Sequence, residues 1–363
     1  MFNLKSFKYN NKYNNRNPSF PRPKIVGYFS IDAENSYCSN LSKLKYFHQG
    51  ASIKKDVKFD LNYGRENTTI TDSLEKNLDH TLLWIQDNVN KIKADDDDDE
   101  KWIKPDFICS RGVLTSIMKS IYHPKEPWTI LAAKFRGTIY MKKAPRPSLQ
   151  YNNMDEEQKK FQEWGLKFGS FLLTDDPTQP PDPSLPTNEK ETFSCIFKTN
   201  LNNKKLLYEA MVDGVVSNKK LQDPIQDLNK LELIELKTSK EMNPLKSPYI
   251  NKYKSLNTWA SCFLTGISKI IYGFRNSDGI VERIVEYNTS KLKEDNKDHW
   301  DGVVCMNLLD QILDYLKFEV VLDHDEAIYQ FERFSFEDQI EVSQLDAKNS
   351  FLPEWFTKST SFP

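Results

Sequence analysis

Two short segments of strict alternation limit most strongly how this chain folds. From Leu207 to Val215 a period of two puts Leu207, Glu209, Met211 and Asp213 on one face, and Tyr208, Ala210 and Val212 on the other. Asp213 therefore ends a mostly apolar strand. From Leu233 to Thr238 the same period sets Glu235 and Lys237 side by side, with Ile234 and Leu236 opposite. If the two strands pair, a carboxylate from each can bind one Mg²⁺, while the lysine contacts a scissile phosphate or orients the attacking water. The competing reading is an ion pair on a half-solvated strand, since Glu-x-Lys is a common tripeptide and exposed pairs are worth little.

Composition fits an enzyme-sized body. With 363 residues, 38% hydrophobic and 12% aromatic, the chain buries a sizeable core as one large domain or two ordinary ones. A formal net charge of -2 supplies no global field for nucleic acid, so any such contact comes from a local cleft. The five cysteines, Cys38, Cys109, Cys195, Cys262 and Cys305, form no C-x-x-C and suggest neither a disulfide framework nor a structural zinc site. A reducing compartment is expected. The N-terminus lacks the apolar stretch of a signal peptide, and no apolar run is long enough to span a membrane, so nucleus or cytoplasm is the expected location.

Breaks in the pattern divide the chain. Residues 1–23, rich in Asn, Lys and Pro, read as a flexible arm, and 24–363 as a single domain. The aspartate run within Ala94–Glu100 reads as a solvated loop, and the proline-rich stretch Asp175–Thr187 as an exposed one. Pro145 and Pro147 mark a further break. Strands are expected over Thr129–Met141, Thr192–Val216 and Leu231–Thr238, and helices over Met154–Leu173 and Lys254–Phe274. In the second helix Trp259, Phe263, Ile267, Ile270 and Phe274 make a stripe that suits a core.

Several short segments follow one another along the chain: Gly27-Tyr28-Phe29-Ser30, Leu61-Asn62-Tyr63-Gly64, Arg111-Gly112-Val113-Leu114-Thr115 and Phe135-Arg136-Gly137-Thr138-Ile139. The helix around Trp164-Gly165, the strands ending at Asp213 and carrying Glu235-Leu236-Lys237, and the Trp259 helix followed by Gly273-Phe274-Arg275 continue the series. In this order, from about residue 27 to 335, they resemble the DXO family of decapping exoribonucleases. It implies an α+β fold of two packed, mostly antiparallel or mixed sheets with flanking helices and an active cleft between the sheets. It also implies a Mg²⁺- or Mn²⁺-dependent hydrolase of RNA 5′ ends, and in a nuclear fungal branch a 5′-to-3′ exoribonuclease as partner.

Departures from the family pattern carry the functional argument. The resemblance places glutamates at Gly169 and Met211, both metal ligands, and a glutamine at Ser261 near the substrate phosphate. It leaves Asp213 and Glu235, with the Leu236 carbonyl, as metal ligands, Lys237 beside the nucleophile, and Arg111, Lys167 and Ser261 as substrate contacts. A metal pair presents four positive charges and two carboxylates remain, enough for one weakly held ion shared with RNA phosphates. Glu209, about 6 to 7 Å from Met211 along the strand, is a candidate substitute ligand, with a surface carboxylate as the plainer reading. Gly169 either admits close packing with Gly165 or records release from catalysis, Met211 reads as core filler, and Lys167 can pair with Glu163 one turn earlier.

Three functions are therefore weighed. The leading one is an RNA 5′-end processing protein with a degraded hydrolase centre, acting weakly or by binding RNA ends or an exonuclease. The others are a working Mg²⁺-dependent 5′-end hydrolase and a scaffold that binds no RNA. Arg111, Lys167 and Lys237 favour retained anion binding.

Overall fold

The structure, a computed structural model, describes residues 2–5, 17–51, 57–71, 78–95, 101–145, 151–240 and 252–359. Residues 96–99 of the aspartate run and Pro147 lie outside these.

Alternation between apolar and polar residues is realised in two large mixed sheets. The first has ten strands in the spatial order Phe2–Asn3, Gln339–Asp346, Ala327–Arg333, Trp128–Phe135, Thr138–Lys143, Phe107–Ser110, Lys204–Met211, Thr192–Leu201, Lys24–Ile31 and Tyr37–Cys38. The second has seven, in the order Leu173–Thr174, Tyr46–Phe47, Gly214–Val215, Leu233–Lys240, Lys269–Arg275, Ile280–Asn288 and Phe59–Asp60. Most pairings are antiparallel, but Phe107–Ser110 runs parallel to Lys204–Met211, and Leu233–Lys240 runs parallel to Lys269–Arg275. The α+β architecture expected from the sequence is what forms.

The largest core joins Tyr208 and Ala210 of the first sheet, and Val212 just past its edge, with Ile270, Tyr272 and Phe274 of the second. Helices Arg111–Lys119, Lys252–Thr265 and Gly302–Glu319 contribute to the same core through Leu114, Trp259 and Leu309. Trp84 and Leu82 of helix Asp79–Asp87 cover the other face of the first sheet, and Trp164 and Phe168 of helix Glu156–Ser170 pack with Ile234, Leu236 and Ile271 of the second. All five cysteines are free, and no helix among the described residues is long and apolar enough to cross a membrane.

Three expectations change. The helix expected over Lys254–Phe274 spans Lys252–Thr265, and Lys269–Arg275 is a strand. Gly266 takes the left-handed φ of +66° that ends a helix, and the β-branched and aromatic run beyond it packs better on a pleated surface. The expected N-terminal arm is docked at its start, where Phe2–Asn3 pairs with Gln339–Ile340 and Leu4 is buried. Gly165 and Gly169 do not mediate close packing: a Cβ at Gly165 meets nothing within 4 Å, and one at Gly169 meets only Leu173 Cδ1 at 3.5 Å.

Helix Glu156–Ser170 is fixed at its start by a reciprocal cap, in which the Asp155 carboxylate accepts from the Gln158 amide and the Gln158 side chain accepts from the Asp155 amide. It then lies directly on the second sheet. A Cβ on Gly273 stands 2.5 Å from Phe168 Cε2, so only glycine lets the helix approach this closely. Gly273→Ala is expected to destabilise the fold by about 1–3 kcal/mol through overpacking. Gly165→Ala, in open space on the same helix, is expected to add about 0.5–1 kcal/mol. Urea denaturation of both variants checks the contrast.

Candidate active site at the junction of the two sheets

The polypeptide passes from one sheet to the other between Met211, the last residue of strand Lys204–Met211, and Gly214, the first of strand Gly214–Val215. Asp213 sits in that crossing. The two sequence segments therefore pair only through Gly214–Val215, beyond Asp213, while Leu207–Met211 stays in the first sheet. Gly214–Val215 pairs with Ile234 and Leu233 and then stops, and the next inward amide on that edge, Leu236 N–H, donates to Asp213 Oδ2 at 2.7 Å. A side chain thus continues the ladder where the strand ends.

Two parallel pairings deliver the remaining groups. Phe107–Ser110 ends level with Glu209, and Arg111 follows as the first residue of its helix, beside the same edge of the first sheet. Such carboxyl ends of parallel strands are where α/β sheets collect functional groups. On strand Leu233–Lys240, Glu235 and Lys237 share the face of Ile270 and Tyr272, which belong to the main core. Glu235 is buried, its Oε1 accepts from Lys237 Nζ, and its Oε2 lies 3.7 Å from Arg111 Nη1. That Arg111 nitrogen is itself buried without a hydrogen-bond partner.

Electrostatics separate the two acids. Burial pushes the Asp213 carboxyl up to about 6 from its ordinary 3.8, the Glu235 charge adds to this, and Lys237, the Leu236 amide and Arg111 oppose it. Burial acts on Glu235 in the same direction but is outweighed by Lys237 and Arg111, so Glu235 is held below its ordinary value. For Lys237, burial is outweighed by the charges of Glu235 and Asp213, and its ammonium is held firmly protonated. At neutral pH the cluster carries two negative charges, from Asp213 and Glu235, and two positive ones, from Arg111 and Lys237.

Other expected residues fall in or out of this cluster. The Cys262 thiol is pushed up by burial and then by Glu235, and it also feels Lys237, Arg111 and Asp213, so helix Lys252–Thr265 turns this residue to the cluster. Ser261 stands half-buried on the same turn, and its hydroxyl makes no bond to the four charged side chains among the described residues. Lys167 is not a member. It is two residues from Gly169, about 200° around the helix, and its Nζ donates to the Pro183 carbonyl and lies 5.7 Å from the Tyr63 ring centre. Nor does Lys167 pair with Glu163, whose carboxylate takes Arg65 and the Tyr151 hydroxyl instead. Glu209 accepts from Ser194 Oγ, an anchorage away from the cluster.

Gly169 and Met211 stand close to Asp213, the first across Leu173 and the second along the chain. Leu173 spans the gap, since its two methyls are the nearest atoms to a Cβ on Gly169 and to one on Gly214, the residue after Asp213. Met211, half-buried, is two residues before Asp213. Among the described residues no group of three or more His, Cys, Asp or Glu side chains is placed to hold a metal ion. Two carboxylates already neutralised by two cations do not fit a resident pair of divalent ions. Sequence reading named all four charged members; it missed Cys262, whose neighbour in the motif drew attention instead.

Comparison with known proteins follows the same line. Residues 21–357 match the family described as RAI1 like PD-(D/E)XK nuclease. The decapping and exoribonuclease protein of Bos taurus is 28% identical over 95% of this chain and 86% of its own length, and the Rai1 protein of Drosophila melanogaster is 28% identical over 95% and 92%. Among solved structures, Candida albicans Rai1 in complex with pU5 and Mn²⁺ superposes with a TM-score of 0.77 at 18% identity, covering 94% of this chain and 95% of that one. The chain belongs to the RAI1-like PD-(D/E)XK nuclease family, the decapping exoribonuclease group.

Proposed function

We propose that this chain binds RNA 5′ ends at the Arg111–Lys237 cluster and that its hydrolase centre is degraded, so that turnover is weak or absent. The observation that carries the reading is the charge count at the junction: two carboxylates converge, and Arg111 and Lys237 already balance them. Glutamates at the positions of Gly169 and Met211, as the family pattern has them, would raise the negative charge enough to hold divalent ions; glycine and a thioether do not.

What the chain's own residues do follows from this balance. Arg111 keeps a buried nitrogen without an acceptor, and a terminal phosphate oxygen supplies one. Lys237 is held protonated and adds a second positive charge. Glu235 keeps both cations oriented, and Asp213 fixes the edge of strand Leu233–Lys240 through the Leu236 amide. A relative seen with pU5 and Mn²⁺ supports RNA as the ligand. The resemblance extends the proposal to a 5′-to-3′ exoribonuclease as protein partner, in nucleus or cytoplasm.

Turnover of RNAs with 5′-monophosphate, 5′-triphosphate and unmethylated-cap ends, in Mg²⁺ and in Mn²⁺, tests the reading. The expected result is no activity above Asp213→Ala and Glu235→Ala controls, with RNA still bound in EDTA. Robust turnover lost in both controls would establish a working enzyme on two carboxylates and sink the proposal. Arg111→Ala is expected to weaken binding about tenfold or more. The double variant Gly169→Glu with Met211→Glu is expected to gain Mn²⁺ binding, read by calorimetry.

The raised Asp213 carboxyl gives a pH dependence of known sign. Its folded value, about 6, lies above its ordinary 3.8, so the fold favours the neutral acid, and this contribution is full below about pH 4 and is lost as pH rises to about 6. Glu235 acts in the opposite direction, so a variant is needed to isolate Asp213. Asp213→Asn keeps an acceptor for the Leu236 amide and cannot ionise. Its stability relative to the parent is expected to rise by about 2–3 kcal/mol between pH 4 and pH 7, measured by urea denaturation.

A further inference from the structure

The first sheet ends in a strand whose outer edge is largely uncovered. Phe2–Asn3 pairs antiparallel with Ile340 and Gln339, so among the described residues strand Gln339–Asp346 has no outer neighbour from Glu341 onward. The direction of its backbone groups follows from one bond. Leu4 N–H donates to the Asp338 carbonyl at 2.6 Å, which turns Asp338 outward, and alternation then turns Ile340, Val342 and Gln344 the same way. On the inner side the pairing with Ala327–Arg333 runs from Asp346 to Glu341 without a bulge, so the alternation is unbroken. Val342 and Gln344 therefore present N–H and C=O groups to solvent as a template for a further strand.

The charges along this edge are unbalanced. Glu341 stands directly opposite Glu332 across the hairpin, a like-charged pair that costs stability. Glu332 accepts from the Thr129 hydroxyl, and neither glutamate has an ion-pair partner among the described residues. At the far end Glu326, Gln344, Leu345, Asp346 and Ala347 line an open hollow of about 520 Å³, room for a long side chain. Lys348 reaches Asp346 at 3.6 Å from a mostly exposed position, and Glu326 has no cation among the described residues.

Edge and charge together select the occupant. A second copy of this chain does not suit, because two such edges laid side by side add the acids of one to those of the other. We propose that Val342–Asp346 is a docking edge for an extended, basic segment of another protein, which joins the first sheet as an antiparallel strand in line with Phe2–Asn3. Main-chain bonds to Val342 and Gln344 hold it. A lysine or arginine opposite Ser343 reaches Glu341 diagonally on the same face, one opposite Asp346 enters the hollow toward Glu326, and an apolar residue covers half-buried Val342. Five strand spacings, about 24 Å, separate this edge from strand Lys204–Met211, so the segment leaves the seam of the two sheets open.

Fluorescence anisotropy with a labelled peptide built around Lys-Thr-Val-Lys-Val, whose order sets lysines opposite Asp346 and Ser343, tests the edge beside its acidic counterpart Glu-Thr-Val-Glu-Val. The intact protein is expected to bind the basic peptide, less tightly at high salt, and to ignore the acidic one. Gln344→Pro removes an outward N–H without touching the inner ladder and is expected to weaken the peptide about tenfold. Glu341→Lys is expected to weaken it about threefold or more. By relieving Glu332 it should also raise the urea midpoint, which separates lost binding from lost fold. Affinity unchanged in both variants puts the basic peptide elsewhere, such as on the aspartate run, and overturns the proposal. Equal binding of the two peptides, or of neither, overturns it as well. So does sedimentation that shows dimers dissociated by Gln344→Pro, which makes a second copy the occupant.

Discussion

The hydrogen bond from the Leu236 amide to Asp213 Oδ2 ties together everything that gives this molecule a site. Strand Gly214–Val215 is too short to satisfy the edge of Leu233–Lys240 beyond Ile234, and a buried amide left without a partner costs about 1–3 kcal/mol. Asp213 supplies the acceptor from the crossing between sheets. That requirement puts a carboxylate beside Glu235, where burial first and the Glu235 charge second raise Asp213, while Lys237 and Arg111 outweigh burial to hold Glu235 down. A backbone problem at the seam of two sheets therefore sets the electrostatics of the cleft.

Much of this was legible in the sequence because period-two alternation is a strong signal. It placed Asp213 at the end of a strand, and Glu235 and Lys237 on one face of another. Ordered motifs then brought Arg111 to the same place. The change of sheet between Met211 and Gly214 was not legible, since nothing local in Val212-Asp213-Gly214 announces it. Lys167 was expected among them because the resemblance directs its motif position inward, while the helix turns it to Pro183 and Tyr63. The Lys254–Phe274 stripe misled because apolar residues at helical spacing continued past Gly266 by coincidence into a strand, whose own pattern was too short to compete.

The acids at the seam and the residues at positions 169 and 211 have a common physical account. A buried carboxylate survives when cations or amides compensate it, and removing one partner from such a pair costs about 3–5 kcal/mol. Glu235 has Lys237 and Arg111, and Asp213 has the Leu236 amide. Additional glutamates at 169 and 211 would set four negative charges against the two positive ones, a balance that only bound metal restores. Without metal, a glycine whose Cβ site meets only Leu173 and a soft thioether are the less costly occupants.

It follows that the survival of Asp213, Glu235 and Lys237 is not itself a sign of catalysis. Each is explained by what its loss would do to the seam: an orphaned Leu236 amide, two uncompensated cations, or a buried carboxylate short of its main partner. Arg111 is the member this account explains least. It approaches Glu235 only at 3.7 Å and leaves a buried nitrogen without an acceptor, a cost that the fold by itself does not require. An unsatisfied donor at the centre of an otherwise balanced cluster is what the proposed 5′-terminal phosphate would satisfy.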